Sequence, residues 1–160
     1  MNMQEFLGRH NVPFELLQHY KTFEAQRMAH AVHVSGHQVA KTVMLRLGQP
    51  GEYAVIVLPA SRKIDLDEAR RVLNTDVVEK ATEDEIAARC PDCEAGALPP
   101  FGSQYNLRTL VDKSLAEEEE IVFEGHSHSE AIRMKYEDFI RVEKPEFVSM
   151  THLSVLDQPV

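Results

Sequence analysis

Apolar residues recur along this chain with a helical period in five segments. After Thr22, for example, apolar residues at positions 25, 28, 29 and 32 fall on one side of a helix and form a single stripe. Two segments open with a capping residue that is followed three positions later by glutamate, namely Asp65 with Glu68 and Thr82 with Glu85. We therefore predict helices that begin near Met3, Thr22, Asp65, Thr82 and Tyr136.

A period of two replaces the helical period in residues 39–47, which predicts a strand. Residues 53–58 are apolar throughout, as expected of a strand that is covered on both faces. The turn residues Gln49, Pro50 and Gly51 lie between them, so the two strands are predicted to form a β-hairpin in the centre of a sheet. Further strands are predicted at residues 14–19, 77–78, 107–111, 121–123 and 131–134, and the residues after 145 show little pattern.

Lys41 differs from the other residues of the alternating strand because it is in phase with Val39, Val43, Leu45 and Leu47. Burying an ammonium group without a partner is costly. Two interpretations follow. Either this end of the strand lies at a cleft, where Lys41 meets solvent and a ligand, or the lysine snorkels over the edge of the sheet.

The order of these elements predicts an α+β or irregular α/β fold, because strands and helices follow one another without a regular βα alternation. With 160 residues, the chain fits one domain that spans residues 1–160 and can bury a substantial core. No apolar run is long enough to span a membrane, and the first residues do not resemble a signal peptide, so we expect a cytoplasmic protein.

The net charge of −9 argues against broad electrostatic binding to a nucleic-acid duplex, which usually involves an excess of Lys and Arg. It leaves room for a few local cations to bind a single nucleotide end. Part of the acidic excess lies in residues 117–120, which we interpret as a solvated loop before a strand.

Residues 93–102 form a segment shaped by proline and glycine. Gly96 and Gly102 tolerate a positive φ, whereas Pro99 and Pro100 fix φ and donate no N–H, so the segment is predicted to be a rigid loop. The simplest interpretation is an exposed connection. The alternative is a functional loop whose unpaired backbone N–H groups bind a carbonyl oxygen or a phosphate.

Cys90 and Cys93 are the only cysteines, and their C-x-x-C spacing admits a redox pair or half of a zinc site. A structural zinc needs two further ligands, and the sequence has no second C-x-x-C. We therefore expect no bound metal, and a secreted disulfide framework is excluded because there are no other cysteines to pair.

Several short motifs occur in a characteristic order over most of the chain. They are Gly36, the 39–43 strand VAKTV, Pro59 with Ala60, the 93–102 loop CEAGALPPFG, Asp112, and the 123–128 turn FEGHSH. Their order and separation resemble the YbaK/prolyl-tRNA synthetase associated domain, with similarity from about Phe6 to Pro145. The resemblance implies a mixed, largely antiparallel curved sheet flanked by helices.

The resemblance also implies an activity, which is the hydrolysis of the ester that joins a wrong, small amino acid to the 3′ end of a tRNA. We expect a free-standing aminoacyl-tRNA deacylase that needs no cofactor and acts as a monomer or weak homodimer. A non-catalytic module that binds a tRNA end, a nucleotide or a protein is the alternative. The thiol pair leaves a third alternative, a redox protein.

By the same resemblance, the catalytic residues are expected to be Lys41, Gly96, Ala97 and His128. Backbone N–H groups of Gly96 and Ala97 would stabilise the oxyanion, Lys41 would hold the terminal phosphate or ribose, and His128 would order a water or bind the ribose. Family members often have glycine at the position of His126. The expected substrate-binding residues are Pro99, Pro100, Phe101, Gly102, Asp112 and His126.

Overall fold

The computed structural model describes residues 2–18, 29, 34–48, 51–94 and 97–154. In these ranges the α-helices are α1 (Met3–Arg9), α2 (Leu66–Val72), α3 (Glu83–Arg89) and α4 (Tyr136–Glu143). The strands are β1 (Glu15–Gln18), β2 (Ala40–Leu47), β3 (Tyr53–Pro59), β4 (Arg62–Ile64), β5 (Val78–Lys80), β6 (Arg108–Asp112), β7 (Glu120–Glu124), β8 (Glu130–Lys135), β9 (Glu146–Val148) and β10 (Thr151–Leu153). Two 3-10 helices span Gly102–Tyr105 and Lys113–Glu117.

The largest sheet has five strands in the order β5-β2-β3-β6-β9. The pairs β5/β2 and β2/β3 are antiparallel, whereas β3/β6 and β6/β9 are parallel. A second, antiparallel sheet has the order β1-β8-β7, and β4 pairs with β10. These mixed sheets confirm the predicted α+β class, and the predicted β2/β3 hairpin lies inside the five-stranded sheet.

Each face of the five-stranded sheet packs against a different part of the chain. We call one the helix face, because its Leu45, Ile56 and Leu110 pack with Ala69 of α2. We call the opposite face the loop face: Met44 and Val55 pack there with Leu98, and Val57 and Val111 pack with Phe101. The proline-glycine loop therefore covers the face of the sheet that α2 does not cover.

The predicted helix starts are confirmed at two capping sites. Asp65 accepts a hydrogen bond from the Glu68 N–H at 3.1 Å and caps α2. Thr82 and Glu85 form a reciprocal capping box at α3, with distances of 3.2 and 2.9 Å. Each satisfies backbone donors that the first helical turn leaves unpaired.

The structure corrects the prediction of a patternless tail, because β9 and β10 lie after residue 145. It also contains β4, for which no strand was predicted. Each of these strands has three residues, too few to show a period, and each is stabilised by pairing with a strand that is distant in sequence. The predicted helix after Thr22 and the turn residues Gln49 and Pro50 lie outside the described residues.

No helix in the described part of the chain is long and apolar enough to cross a membrane.

Candidate active site

Lys41 lies on the helix face, opposite Leu58 of β3. The side chain is half-buried, and burial lowers the pKa of its ammonium, with the charges of Lys80 and Lys63 lowering it further. Within the described ranges, the charges that shift it come from lysines and not from a carboxylate. This cluster of positive charge on a partly buried surface favours the binding of an anion.

Lys41 and Glu124 extend from the same side of two neighbouring strands. An isolated parallel bridge joins Val39 to Val122, and both valines are fully buried in one small cluster with Ala60. Because side chains alternate along a strand, the residues two positions further on point to the same side as the bridged pair. Those residues are Lys41 and Glu124, so the register puts a cation and an acid on the same side of the two strands.

Glu124 and His128 form a buried pair at the turn between β7 and β8, and the exposed Glu94 contacts His128. The His128 Nδ1 lies 3.4 Å from both carboxylate oxygens of Glu124, and the two side chains are 3% and 10% exposed. Glu94 accepts a hydrogen bond from the backbone N–H of His128 at 3.0 Å. Two segments that are distant in sequence are thereby joined at His128.

The pKa of the Glu124 carboxyl group is shifted far from its ordinary value. Burial raises its pKa to about 7, against the opposing effect of the charge and hydrogen bond of His128, and Glu94 raises it further. A carboxyl group that titrates near neutral pH beside an imidazole is typical of sites that hold or transfer a proton.

His126 has a different environment from His128. Its Nε2 lies 3.0 Å from the Tyr105 hydroxyl, and burial lowers the pKa of its imidazole. Its φ is 75°, in the left-handed region that favours glycine. His126 therefore holds the turn against Tyr105, whereas His128 is the histidine that is paired with a buried acid.

Ala97 was expected to contribute its backbone N–H to an oxyanion site, and in the structure this N–H has a partner within the loop. Ala97 is fully buried, and its N–H donates to the carbonyl of Glu94 at 3.0 Å, so this donor is used within the loop. The Glu94 N–H in turn donates to the His126 carbonyl at 2.9 Å and ties the loop to the β7/β8 turn. Gly96, the other expected donor, lies outside the described residues.

The second half of the loop, which was expected to contact the substrate through Pro99, Pro100, Phe101 and Gly102, packs in the core. All four are buried. The Phe101 ring packs edge-on against Phe123 and Phe139, with centroid distances of 5.9 and 5.5 Å. A Cβ at Gly102 would lie 2.5 Å from the Thr109 Oγ1, so this glycine permits close packing.

Asp112 was also expected to bind substrate, and in the structure its carboxylate contacts other segments of the fold. It is 3% exposed, and it accepts hydrogen bonds from the backbone N–H groups of Ser114 and Met150 at 3.2 and 3.3 Å. The Ser114 hydroxyl also donates to it, and Arg62 lies 3.9 Å away. Its oxygens therefore join β6 to the C-terminal strands.

Three residues near the predicted site were not predicted from sequence. Glu94 and Glu124 contact His128, and the Thr42 hydroxyl is buried on the loop face with no hydrogen-bond partner in the described residues. A signal for Glu124 existed, because an acid in phase with Val122 points to the buried side of its strand. Glu94 is recognisable only once the loop is placed beside the turn.

Comparison with known proteins identifies the class to which this fold and site belong. The model of the aminoacyl-tRNA editing domain family matches residues 19–142, and the chain therefore belongs to that family. The predicted resemblance and the prediction of an aminoacyl-tRNA editing enzyme are confirmed.

Individual relatives agree with this assignment. The multifunctional Ser/Thr-tRNA deacylase ProXp-y of Escherichia coli strain K12 is 24% identical over 149 residues, which cover 89% of this chain and 87% of the relative. Two solved structures share the fold. A candidate trans-editing enzyme for prolyl tRNA synthetase has a TM-score of 0.75 at 19% identity and 87% coverage of both chains. A hypothetical protein has a TM-score of 0.83 at 16% identity and covers 93% of this chain and 98% of its own.

Proposed function

We propose that this protein is a free-standing aminoacyl-tRNA deacylase that hydrolyses the ester of tRNA mischarged with a small amino acid. The observation that carries the proposal is the buried Glu124–His128 pair, together with a half-buried Lys41 on the strand that is bridged to the strand of Glu124. The bridge between Val39 and Val122 puts Lys41 and Glu124 on one side of the two strands, and the pair lies at the turn to which the proline-glycine loop is bonded.

Lys41 supplies the contact with the tRNA end. A protein with a net charge of −9 repels most of an RNA, so binding at the 3′ terminus depends on a local cation cluster. Lys41 has Lys63 and Lys80 close enough to lower its pKa, and an incoming phosphate relieves that repulsion. We assign Lys41 to a phosphate near the terminal ribose.

His128 supplies the contact with the reacting groups. Water adds to the ester carbonyl, the bond from the acyl carbon to the ribose oxygen breaks, and that oxygen takes up a proton. Glu124 fixes the orientation of the His128 ring through Nδ1, so the imidazole holds the attacking water or the ribose hydroxyl in place. The Gly96 N–H remains our predicted oxyanion donor, and the 2′-hydroxyl of the substrate is expected to assist.

The name of the E. coli relative extends the expected substrates to serine and threonine. Pocket volume decides among such side chains, since one methylene is worth roughly 1–3 kcal/mol of discrimination. We place the protein in the cytoplasm, where tRNA is charged, as one domain acting alone or as a weak homodimer.

The proposal is tested with tRNAs charged with alanine, serine, threonine, cysteine and proline, by measuring the release of free amino acid. We expect release of at least one small amino acid, and a decrease of about tenfold or more, equivalent to about 1.4 kcal/mol, in Lys41→Ala. Lys113→Ala, which removes an exposed lysine next to β6, is the matched control. Normal release by Lys41→Ala would refute the assignment of Lys41, and absence of release with retained binding of the tRNA end would favour a non-catalytic module.

A further inference from the structure

The two cysteines lie in a tight turn at the end of α3. Cys90 ends the helix, where its N–H donates to the Ile86 carbonyl at 2.8 Å, and it is 1% exposed. The Cys93 N–H donates to the Cys90 carbonyl at 3.2 Å, and Cys93 is partly exposed. Residues 90–93 therefore form a hydrogen-bonded turn with one buried and one accessible thiol.

This turn has the geometry that a disulfide requires. A turn closed by a hydrogen bond between its first carbonyl and its fourth N–H brings the outer Cα atoms within about 7 Å. Disulfides join residues whose Cα atoms are roughly 4.4–6.8 Å apart. The two cysteines also pack in one hydrophobic cluster, where each thiol shifts the pKa of the other, so their side chains lie close together. Both cysteines are free in the structure, and a bond between them needs little backbone movement.

The two thiols have different environments. Hydrogen bonding from Cys90, helped by the Tyr105 hydroxyl at 3.2 Å, holds the pKa of Cys93 below its ordinary value, despite burial and the nearby Asp92. The bond to Cys93 and burial raise the pKa of Cys90. Cys93 is therefore the more nucleophilic thiol, and Cys90 stays protonated beside it.

We propose that Cys93 and Cys90 form a hydroperoxide-reactive site, in which Cys93 is the attacking thiol and Cys90 resolves the product to a disulfide. The Cys93 thiolate attacks one oxygen of hydrogen peroxide, the O–O bond breaks, and the leaving hydroxide takes a proton to become water. The Cys90 sulfur then displaces the hydroxyl of the Cys93 sulfenic acid and releases a second water. Two thiols are oxidised by two electrons, and the peroxide is reduced by two electrons.

The position of this site links its redox state to the candidate active site. Tyr105 contacts both Cys93 and His126, and Glu94, which follows Cys93 directly, accepts the N–H of His128. Formation of the disulfide turns the Cys93 sulfur toward Cys90 and removes it from Tyr105. The oxidation chemistry itself does not depend on the proposed deacylase activity.

The test treats the reduced full-length protein with hydrogen peroxide and follows its intact mass and its peptide masses. We expect a loss of two hydrogen atoms mapped to one peptide containing Cys90 and Cys93, with recovery on adding a thiol reductant. At early times, a dimedone-type probe is expected to trap a sulfenic acid on Cys93 and not on Cys90. Cys90→Ser is expected to stop at that sulfenic acid.

Tyr105→Phe tests the environment of Cys93, with Tyr136→Phe, in a different core cluster from the thiols, as the control. Of the two variants, only Tyr105→Phe is expected to slow the oxidation, by about threefold or more, because it removes a hydrogen bond to the Cys93 sulfur. Three results would overturn the proposal. The folded protein could react with peroxide no faster than the urea-denatured protein, the probe could label Cys90 before Cys93, or the thiols could be oxidised beyond sulfenic acid without forming a disulfide. The labelling experiment uses the wild-type chain, so it gives a result even where a variant fails to fold.

Discussion

Replacing Glu124 with glutamine tests the buried acid at the centre of the candidate site. The pKa of Glu124 is raised to about 7, mainly by burial. Between its ordinary pKa of 4.5 and a pH of about 7, Glu124 therefore stays protonated in the native protein, whereas it is ionised in the unfolded chain. The contribution of the protonated carboxyl group to the free energy of unfolding is fully present below pH 4.5 and is lost as the pH rises through about 7.

The size of the effect follows from the two pKa values. At about 1.36 kcal/mol per pKa unit, the difference corresponds to about 3 kcal/mol, of which about 2.5 kcal/mol is lost between about pH 5 and about pH 8. Glutamine has nearly the same shape and carries no charge to desolvate. Relative to the wild type, Glu124→Gln should therefore become more stable by about 2.5 kcal/mol as the pH rises over that range.

The assay is urea unfolding of both proteins at several pH values, followed by circular dichroism. Glu120→Gln is the matched control, because it makes the same change on the same strand at an exposed position. We expect the control to show the pH dependence of the wild type. If the difference in free energy of unfolding between the wild type and Glu124→Gln stays constant with pH, the assignment of a buried carboxyl group that holds a proton is refuted.

Three further predictions concern the site and its support. His128→Ala should lower deacylation by about tenfold, because it removes the group that orders the reacting water, whereas His10→Ala, in an exposed helix cap, should not. Gly102→Ala should lower the free energy of unfolding by about 1–3 kcal/mol, since its Cβ collides with Thr109, and unchanged urea unfolding would contradict this packing. Thr82→Ala should cost about 1 kcal/mol in the same assay by removing the cap of α3, and an unchanged midpoint would contradict the cap.

Local features of the fold could be read from the sequence because their causes are local. The caps at Asp65 and Thr82 join residues three positions apart, and the alternation in β2 involves neighbouring residues. These signals predicted where the elements begin and that Lys41 shares a side with aliphatic residues. The order of motifs along the chain was sufficient to predict the editing family.

The composition of the candidate site depended on contacts between distant segments. The loop motif was visible in the sequence, but its side chains gave no sign that Phe101 enters the core or that the Ala97 N–H is used by Glu94. Glu94 and His128 are 34 residues apart and meet only because the loop folds back onto the β7/β8 turn.

The sequence by itself determined the capped helix starts at Asp65 and Thr82, the central hairpin, the class of fold and the family. Tertiary structure decided which side of the sheet each motif occupies, and it placed Asp112 where its oxygens join β6 to the C-terminal strands. The physical reason is that periodicity and capping act over a few residues, whereas the burial of a carboxyl group, and hence its pKa, depends on whichever distant segments pack around it.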